Sequence, residues 1–483
     1  MSAYQAVIGM EVHAQLQTRS KMFCGCDAKA FGAAPNTHTC PVCLALPGAL
    51  PVINRRAVEQ AIMVGLALHC RIAETAVFSR KNYFYPDLPK AYQISMYDFP
   101  LCRQGYVEIG GADGQRRRIR IRRVHLEEDT AKLIHGGDHS LVDFNRAGLP
   151  LIEIVTEPDI RTPEEARQYL IKLRAILRTL GVSTADMEKG AMRCEANVSL
   201  RPVGREEMGV KVEVKNLNSF RSVKQALEYE IARQRRVLEA GGRVRQVTMG
   251  WDERHGRTVE QRSKETAEDY RYFPEPDLPP LHISSAWVEE IAAALPELPE
   301  ERQARFVRDY GLAPTDAAVL TTEREVADFT EEAIKAGRRR GIAPRVIGNW
   351  VVGDLFRLLR AAGADIEAQQ VTPDALAELV DLVERGIITA NSGRKVLEEV
   401  FAHGGSPEEI VRARGLAQIS DADALGRIVA EVVAAHPEEA DRYRGGKESL
   451  LQWFVGQVMR ATRGKANPQI VKSLLREELD RRR

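Results

Sequence analysis

The four cysteines between residues 24 and 43 have the spacing of a metal ligand set. They read FCGC, then thirteen residues, then CPVC, so Cys24 and Cys26 form a C-x-C knuckle and Cys40 and Cys43 a C-x-x-C knuckle. Such spacings let paired thiolates meet one tetrahedral zinc ion, and the nearby Pro and Gly favour the tight turns this requires. A closed four-sulfur site leaves no position for substrate, so the zinc expected here staples a loop and performs no chemistry. Reduced thiols without metal are the competing reading. Cys70, Cys102 and Cys194 read as small apolar core residues.

A second group of residues could act on a substrate. In VIGMEVHAQL, residues 7–16, Ile8, Met10, Val12, Ala14 and Leu16 share one parity while Glu11, His13 and Gln15 share the other, the alternation of a half-buried strand. Glu127, Glu128 and Asp129 follow in VHLEEDTAK, and Glu153 interrupts the apolar run LPLIEIV. A carboxylate buried in such a run is costly unless it is paired or metal-bound. Carboxylates with one imidazole suit a hard ion such as magnesium better than zinc. No spacing fixes such a site, because its ligands come from separate segments. Taken singly, each acid also reads as a salt bridge or a solvated strand end.

Three further segments are rich in polar groups. RKNYFYPDLPKAYQI, residues 80–94, interleaves Lys81, Tyr83 and Lys90 with prolines; it reads as a defined loop suited to phosphate and base contacts, or as one packed by its own rings. In MRCEANVSLR, Arg193, Glu195, Asn197, Ser199 and Arg201 share a face that could line a cleft. Asn216, Asn218 and Ser219 precede a helix, where they could hold an anion or simply cap it.

The elements that must position these groups differ along the chain. QGYVEIGGADGQRRRIRIRRV reads as a hairpin with Val107 and Ile109 facing Ile119 and Ile121. Thr162, Pro163 and Glu165 form a capping box for a helix that ends at Gly181, and a second helix runs from Ser219 to Gly241-Gly242. Strand signals fade after the proline-dense FPEPDLPPLHI, and helical periodicity dominates beyond. The expected fold is an α+β N-terminal domain, a mixed or antiparallel sheet with helices over residues 1–290, followed by two all-α domains, 291–405 and 406–483, divided at His403-Gly404-Gly405-Ser406-Pro407.

The 69 Lys and Arg against 68 Asp and Glu give no global field of the kind that marks a nucleic-acid binder. The tail is locally basic, with eight Lys or Arg against three acids from Arg460 to Arg483; it suits a phosphate backbone or a helix whose last residues complement its dipole. No run is long and apolar enough for a membrane span, and MSAYQAVIGM lacks the features of a signal peptide, so the cytoplasm is the expected compartment. The sequence holds no P-loop, no glycine-rich dinucleotide fingerprint and no glutaminase signature; Gly445-Gly446-Lys447 reads as a turn.

Several of these segments, IGMEVHAQL, KNYFYPDLPKAYQI, HLEEDTAKLIH, DFNRAGLPLIEIVTEPD, MRCEANVSLRP, EVKNLNSFRSVKQALEYEI, DYRYFPEPDLPPL and GQVMRATRGKANPQIVKSLL, resemble the B subunits of bacterial aspartyl/glutamyl-tRNA amidotransferases. The resemblance runs from the first strand to the tail. It implies a cradle-like catalytic domain that activates the side-chain carboxylate of a misacylated tRNA with ATP, as an acyl phosphate, for displacement by ammonia. An amidase-like A subunit would supply ammonia from glutamine, and a small C subunit would complete a heterotrimer. By the family pattern Glu11, His13, Glu127 and Glu153, with Glu128 as a neighbour, would bind magnesium. Lys81, Tyr83 and Lys90 would meet ATP phosphates or the acceptor end, and Arg193, Glu195 and Arg201 would line the same cleft. The cysteine knuckle matches family members that keep a structural zinc. Lys465, Asn467 and Lys472 would contact tRNA from a small helical tail domain. The rival readings are a zinc-containing tRNA-binding module without catalysis and a magnesium-dependent phosphohydrolase.

Overall fold

The computed structural model of the chain describes residues 3–110, 115–263, 269–417, 422–462 and 466–481. It divides into two compact units, Met1–Pro299 and Glu300–Arg483.

The main strands of the first unit are β1 (Tyr4–Gln15), β2 (Ser79–Asn82), β3 (Tyr92–Ser95), β4 (Cys102–Gly110), β5 (Arg116–Glu128), β6 (Pro150–Thr156), β7 (Met192–Pro202), β8 (Val212–Lys215), β9 (Val247–Asp252) and β10 (Arg257–Ser263). Its helices are α1 (Arg55–Ala67), α2 (Pro163–Thr179), α3 (Phe220–Glu239) and α4 (Ser285–Ala293). Eight of these strands, with the short Arg71–Ile72, form a nine-stranded sheet in the order β10-β9-β8-β7-β1-β6-β5-β4 and then Arg71–Ile72. The β8–β9 pair is parallel and the others are antiparallel, so the expected α+β class with a mixed sheet holds.

The alternation read in β1 sets up two unlike faces. Met10, Val12, Ala14, Val124, Leu126, Ile152, Ile154, Cys194, Ala196 and Val198 are buried on one face, in a core completed by Val58 and Ile62 of α1, Leu170, Leu173 and Leu177 of α2, and Val223 and Leu227 of α3. Each of the larger side chains here, the Val, Leu, Ile and Met, contributes roughly 1.5–3 kcal/mol when fully buried, so this face anchors the register of the strands. The register then dictates what meets on the other face, because a one-residue slip would invert every side chain.

Local signals explain the helix limits. The Thr162 hydroxyl accepts from the Glu165 N–H at 3.1 Å and Pro163 opens α2. The Glu165 carboxylate reaches one residue further back than a capping box requires, to the Arg161 N–H at 2.8 Å. The chain leaves α2 at Gly181, whose φ of +65° suits glycine. The Ser219 hydroxyl caps α3 by accepting the Ser222 N–H at 3.0 Å. In the β4–β5 hairpin Val107 lies opposite Ile119, while Ile109 lies opposite Arg117; residues 111–114 of the turn are outside the described residues. Trp287, Val288 and Ile291 of α4 pack into the first core, which is why this unit extends to Pro299.

The second unit is a succession of helices from Pro299–Tyr310 to Pro468–Arg481. It holds two hydrophobic clusters, one from Phe306 to Val411 and one from Leu425 to Leu479. Gly445-Gly446 forms a turn. Among the described residues no helix is long and apolar enough to cross a membrane.

Candidate active site and metal centre

On the polar face of the sheet, Arg193, His13, Glu153 and His125 lie side by side across β7, β1, β6 and β5, and Glu11 lies opposite Glu195 in the next row. His13 Nε2 is 3.3 Å from a Glu153 oxygen and 3.6 Å from a Glu127 oxygen. His125 Nε2 is 3.3 Å and 3.4 Å from the same two carboxylates. Two imidazoles therefore bridge one pair of buried acids. Donor atoms of Glu11, His13 and Glu153, and of His125, Glu127 and Glu153, lie within 4.8 Å of one another in each set.

A small sheet of β2, β3 and Phe273–Pro274 supplies partners for this face. The Ser95 hydroxyl donates to Glu127 at 2.6 Å and the Gln93 amide donates at 3.2 Å. Lys81 pairs with Gln93 across the strands and shares its face; its Nζ lies 5.0 Å from the Tyr270 ring centre and 6.0 Å from that of Tyr83. Burial is the largest influence on the Lys81 ammonium and opposes it, but the charges of Glu127, Tyr272 and Glu153 together hold the group well above its usual range.

Charge is concentrated here. Burial works against a histidinium, yet the hydrogen bond and charge of Glu153 push His13 up to about 9. Burial, followed by the charge of Glu153, pushes Glu11 up to about 7. The Glu153 carboxyl is held well below its usual range against burial, chiefly by His125. The buried carboxylates that draw protons onto Glu11 and His13 would equally draw a divalent cation, which would bind as those protons leave, because its ligands must be carboxylate and neutral imidazole. His125 adds a second imidazole to the expected set, which widens the range of ions it suits.

The other expected residues are distributed unevenly. Neighbouring residues of a strand face opposite ways, and Glu128 points away from Glu127. Glu128 pairs with Lys90 at 2.6 Å, accepts the Ile94 N–H at 2.9 Å and lines a cavity of about 260 Å³ beside Cys24 and Cys43. Lys90 and Glu128 are thus not brought into the acid cluster. Glu195 is next to it, held by Lys215 at 3.0 Å, which offsets the like charge of Glu11 across the strands. Arg193 is opposite His13 and binds Asp129 at 2.9 Å. Arg201 lies at the far end of β7, bonded to Gln5 and the Glu206 carbonyl, ~26 Å from Arg193 by strand rise. Sequence reasoning overlooked His125, although it shares the parity of Glu127 in VHLEED, and also Lys215, Tyr270 and Arg146. In the tail, the Asn467 side chain accepts the Gln469 N–H at 3.0 Å at the start of helix Pro468–Arg481, Lys472 is exposed, and Lys465 lies outside the described residues.

The four knuckle cysteines are free thiols whose sulfur atoms all lie within 4.8 Å of one another. Cys40 Sγ and Cys43 Sγ are 3.9 Å apart, close to the ~3.8 Å between two ligands of tetrahedral zinc at ~2.3 Å. The Cys40 N–H donates to Cys43 Sγ at 3.1 Å. The thiol of Cys24 holds Cys43 down to about 4, while burial pushes Cys26 up to about 11. The donor set therefore fits a structural ion. Asn36 and His38 tie the loop to Val142, Phe144 and Asn145, and the fully buried Lys21 donates to the Phe144 carbonyl at 3.2 Å.

Residues 6–289 match the GatB/GatE catalytic domain, and residues 328–479 match a GatB domain. The chain is 56% identical to the B subunit of the aspartyl/glutamyl-tRNA(Asn/Gln) amidotransferase from Roseiflexus sp. (strain RS-1), over 99% of each chain. It is 53% identical to the B subunit of the same enzyme from Carboxydothermus hydrogenoformans, again over 99% of each.

Proposed function

Because this chain belongs to the family of aspartyl/glutamyl-tRNA(Asn/Gln) amidotransferase B subunits, we propose that its polar sheet face uses ATP to convert the side-chain carboxylate of misacylated glutamyl- or aspartyl-tRNA into an amide. The observation that carries this reading is the pair of imidazoles bridging Glu127 and Glu153 within 3.6 Å, on a face backed by the main core.

A carboxylate is a poor electrophile, and its attack on the γ-phosphorus of ATP gathers negative charge. Glu11, Glu127 and Glu153, with His13 and His125 alongside, would hold magnesium, which would neutralise part of the negative charge that this attack gathers. The side chains do the rest. Lys81 offers its ammonium to phosphoryl oxygens, in place of the lysine of a P-loop. Ser95 and Gln93 hold Glu127 in one orientation, and Tyr83 packs near Lys81. The carboxylate oxygen bonds to phosphorus and ADP leaves. Ammonia then bonds to the acyl carbon, loses a proton, and phosphate departs. In this reading an A subunit makes the ammonia from glutamine, a small C subunit completes the heterotrimer, the knuckle binds zinc, and the helical tail with Asn467 and Lys472 meets tRNA. A tRNA-binding module without catalysis would leave this costly burial of charge without a purpose.

The test combines the chain with its A and C partners, misacylated glutamyl-tRNA, ATP, magnesium and free ammonia. Wild type is expected to yield amidated tRNA and phosphate, and Glu127→Ala to lose at least about 100-fold in rate while still binding tRNA. A fully active Glu127→Ala would return these acids to the role of strand-end charges.

A further inference from the structure

Asp129 is a single buried anion between two guanidinium groups. It is 3% exposed. Its Oδ2 accepts from Arg146 Nη2 at 2.7 Å and from the Gln15 amide at 2.6 Å, and its Oδ1 accepts from Arg193 Nη2 at 2.9 Å and the Thr130 N–H at 3.0 Å. Burial opposes its ionisation, but Arg193 and then Arg146 outweigh this and hold its carboxyl well below the usual range.

Two cations on one anion leave positive charge over. Each guanidinium carries five N–H donors, and Asp129 takes only part of them. Arg146 Nε is buried and has no acceptor among the described residues. The side chains keep 26% and 41% of their exposure, so the pair opens to solvent. Asp129 lies two residues beyond Glu127 with the same parity, ~7 Å along the strand, and its N–H continues the ladder to the Leu149 carbonyl. Arg193 stands directly opposite His13. The cationic pair therefore borders the acid cluster on one sheet face.

We propose that Arg146 and Arg193, held in place by Asp129, form a phosphoryl-binding subsite next to the carboxylate cluster. Planar guanidinium forks match the tetrahedral oxyanion of a phosphoryl group and bind it more strongly than neutral donors do. The division of labour is chemical: the acids suit a cation, the arginines suit the phosphate oxygens, and a nucleotide with its metal needs both. Asp129 is a positioning residue that touches no substrate. The proposal rests on the reading of this face as the site of ATP-driven activation. The same oxyanion chemistry exists in the terminal phosphates of the nucleotide and in the phosphodiesters of the tRNA acceptor end, and the experiment separates them.

Calorimetric titration of the intact complex with ATP, ADP and AMP, each with magnesium, is compared for wild type, Arg146→Lys, Arg146→Met and Asp129→Asn, with tRNA affinity and thermal unfolding measured alongside. If the subsite holds the nucleotide, Arg146→Met lowers ATP and ADP affinity by about tenfold or more and leaves AMP and tRNA affinity unchanged. Arg146→Lys, which keeps the charge on Asp129 and loses the fork, falls between. Asp129→Asn weakens ATP although it touches no phosphate. If the oxyanion belongs to the acceptor end, Arg146→Met leaves ATP unchanged, weakens tRNA, and reduces its salt dependence by about one phosphate contact. A folded Arg146→Met with wild-type affinity for both nucleotides and tRNA overturns the proposal. Wild type that binds no nucleotide overturns the activation reading instead, a failure distinct from that of the arginines.

Discussion

The cysteine knuckle and the carboxylate face each gather metal donors, yet the first draws its ligands from residues 24–43 and the second from strands that run from Glu11 to Glu153. The difference follows from what each must do. Four sulfurs close a coordination shell and hold a loop that has little core of its own; only local spacing is needed. A site that handles substrate must leave room and be held rigidly by something else. Here that support is the apolar face of the same sheet, where Met10, Val12, Ile152 and Ile154 fix the register that sets His13 beside Glu153. A metal in the knuckle is thus expected to support folding, and a metal on the strand face to support chemistry.

If the knuckle holds an ion, its loss should have the largest effect on this contrast. Cys43→Ser, or extraction of zinc by a chelator, is expected to destabilise the strand-rich unit by on the order of 3–5 kcal/mol, read by thermal unfolding with bound zinc assayed in parallel. The amidation rate per folded molecule should stay close to wild type. Lost catalysis with unchanged stability would exchange the roles of the two sites.

A smaller change sharpens the other half. Ser95→Ala deletes the donor that orients Glu127, and the expected result is a roughly 10–100-fold fall in kcat against a stability loss of about 1–2 kcal/mol. Equal and modest losses in both would mark Ser95 as packing only.

The helical unit provides the metal-independent control. Glu331 accepts from Arg305 and Tyr310, each at 2.7 Å, and from Arg302 at 2.9 Å. The hydrogen bond from Arg305, against burial and aided by the others, holds its carboxyl down to about 2. Its folded pKa lies below the unfolded one, so the folded state binds fewer protons. The stability it confers is complete above the ordinary carboxylate range near 4.3 and is lost as pH falls through about 2. The stability difference between wild type and Glu331→Gln should shrink over that window whether or not magnesium or zinc is present. A difference that depends on metal would contradict the separation of roles.

The legible and illegible parts of the site divide along the same line. The gathering of four sulfurs can be read because it lies within one loop, and the β1 alternation can be read because parity is a local property. Parity would also have separated Glu127 from Glu128 and joined His125 to Glu127, had it been applied through VHLEED. Nothing local shows that Arg146 and Arg193 share Asp129, or that Lys90 turns to Glu128 beside the knuckle, because those pairings depend on which strands become neighbours. Arg201 has the right face and the wrong position along β7, a distinction that only register provides. The α+β class and the later helical region were accessible because strand and helix periodicities change with the proline-rich segment near residue 280.

Conversion of the side-chain carboxylate into an acyl phosphate on the strand face would leave an isotopic trace. It is tested most directly with glutamyl-tRNA carrying oxygen-18 in the side-chain carboxylate, incubated with the intact complex, ATP, magnesium and ammonia. Amidation is expected to transfer one labelled oxygen to each inorganic phosphate released. Amidated tRNA accompanied by unlabelled phosphate would contradict it.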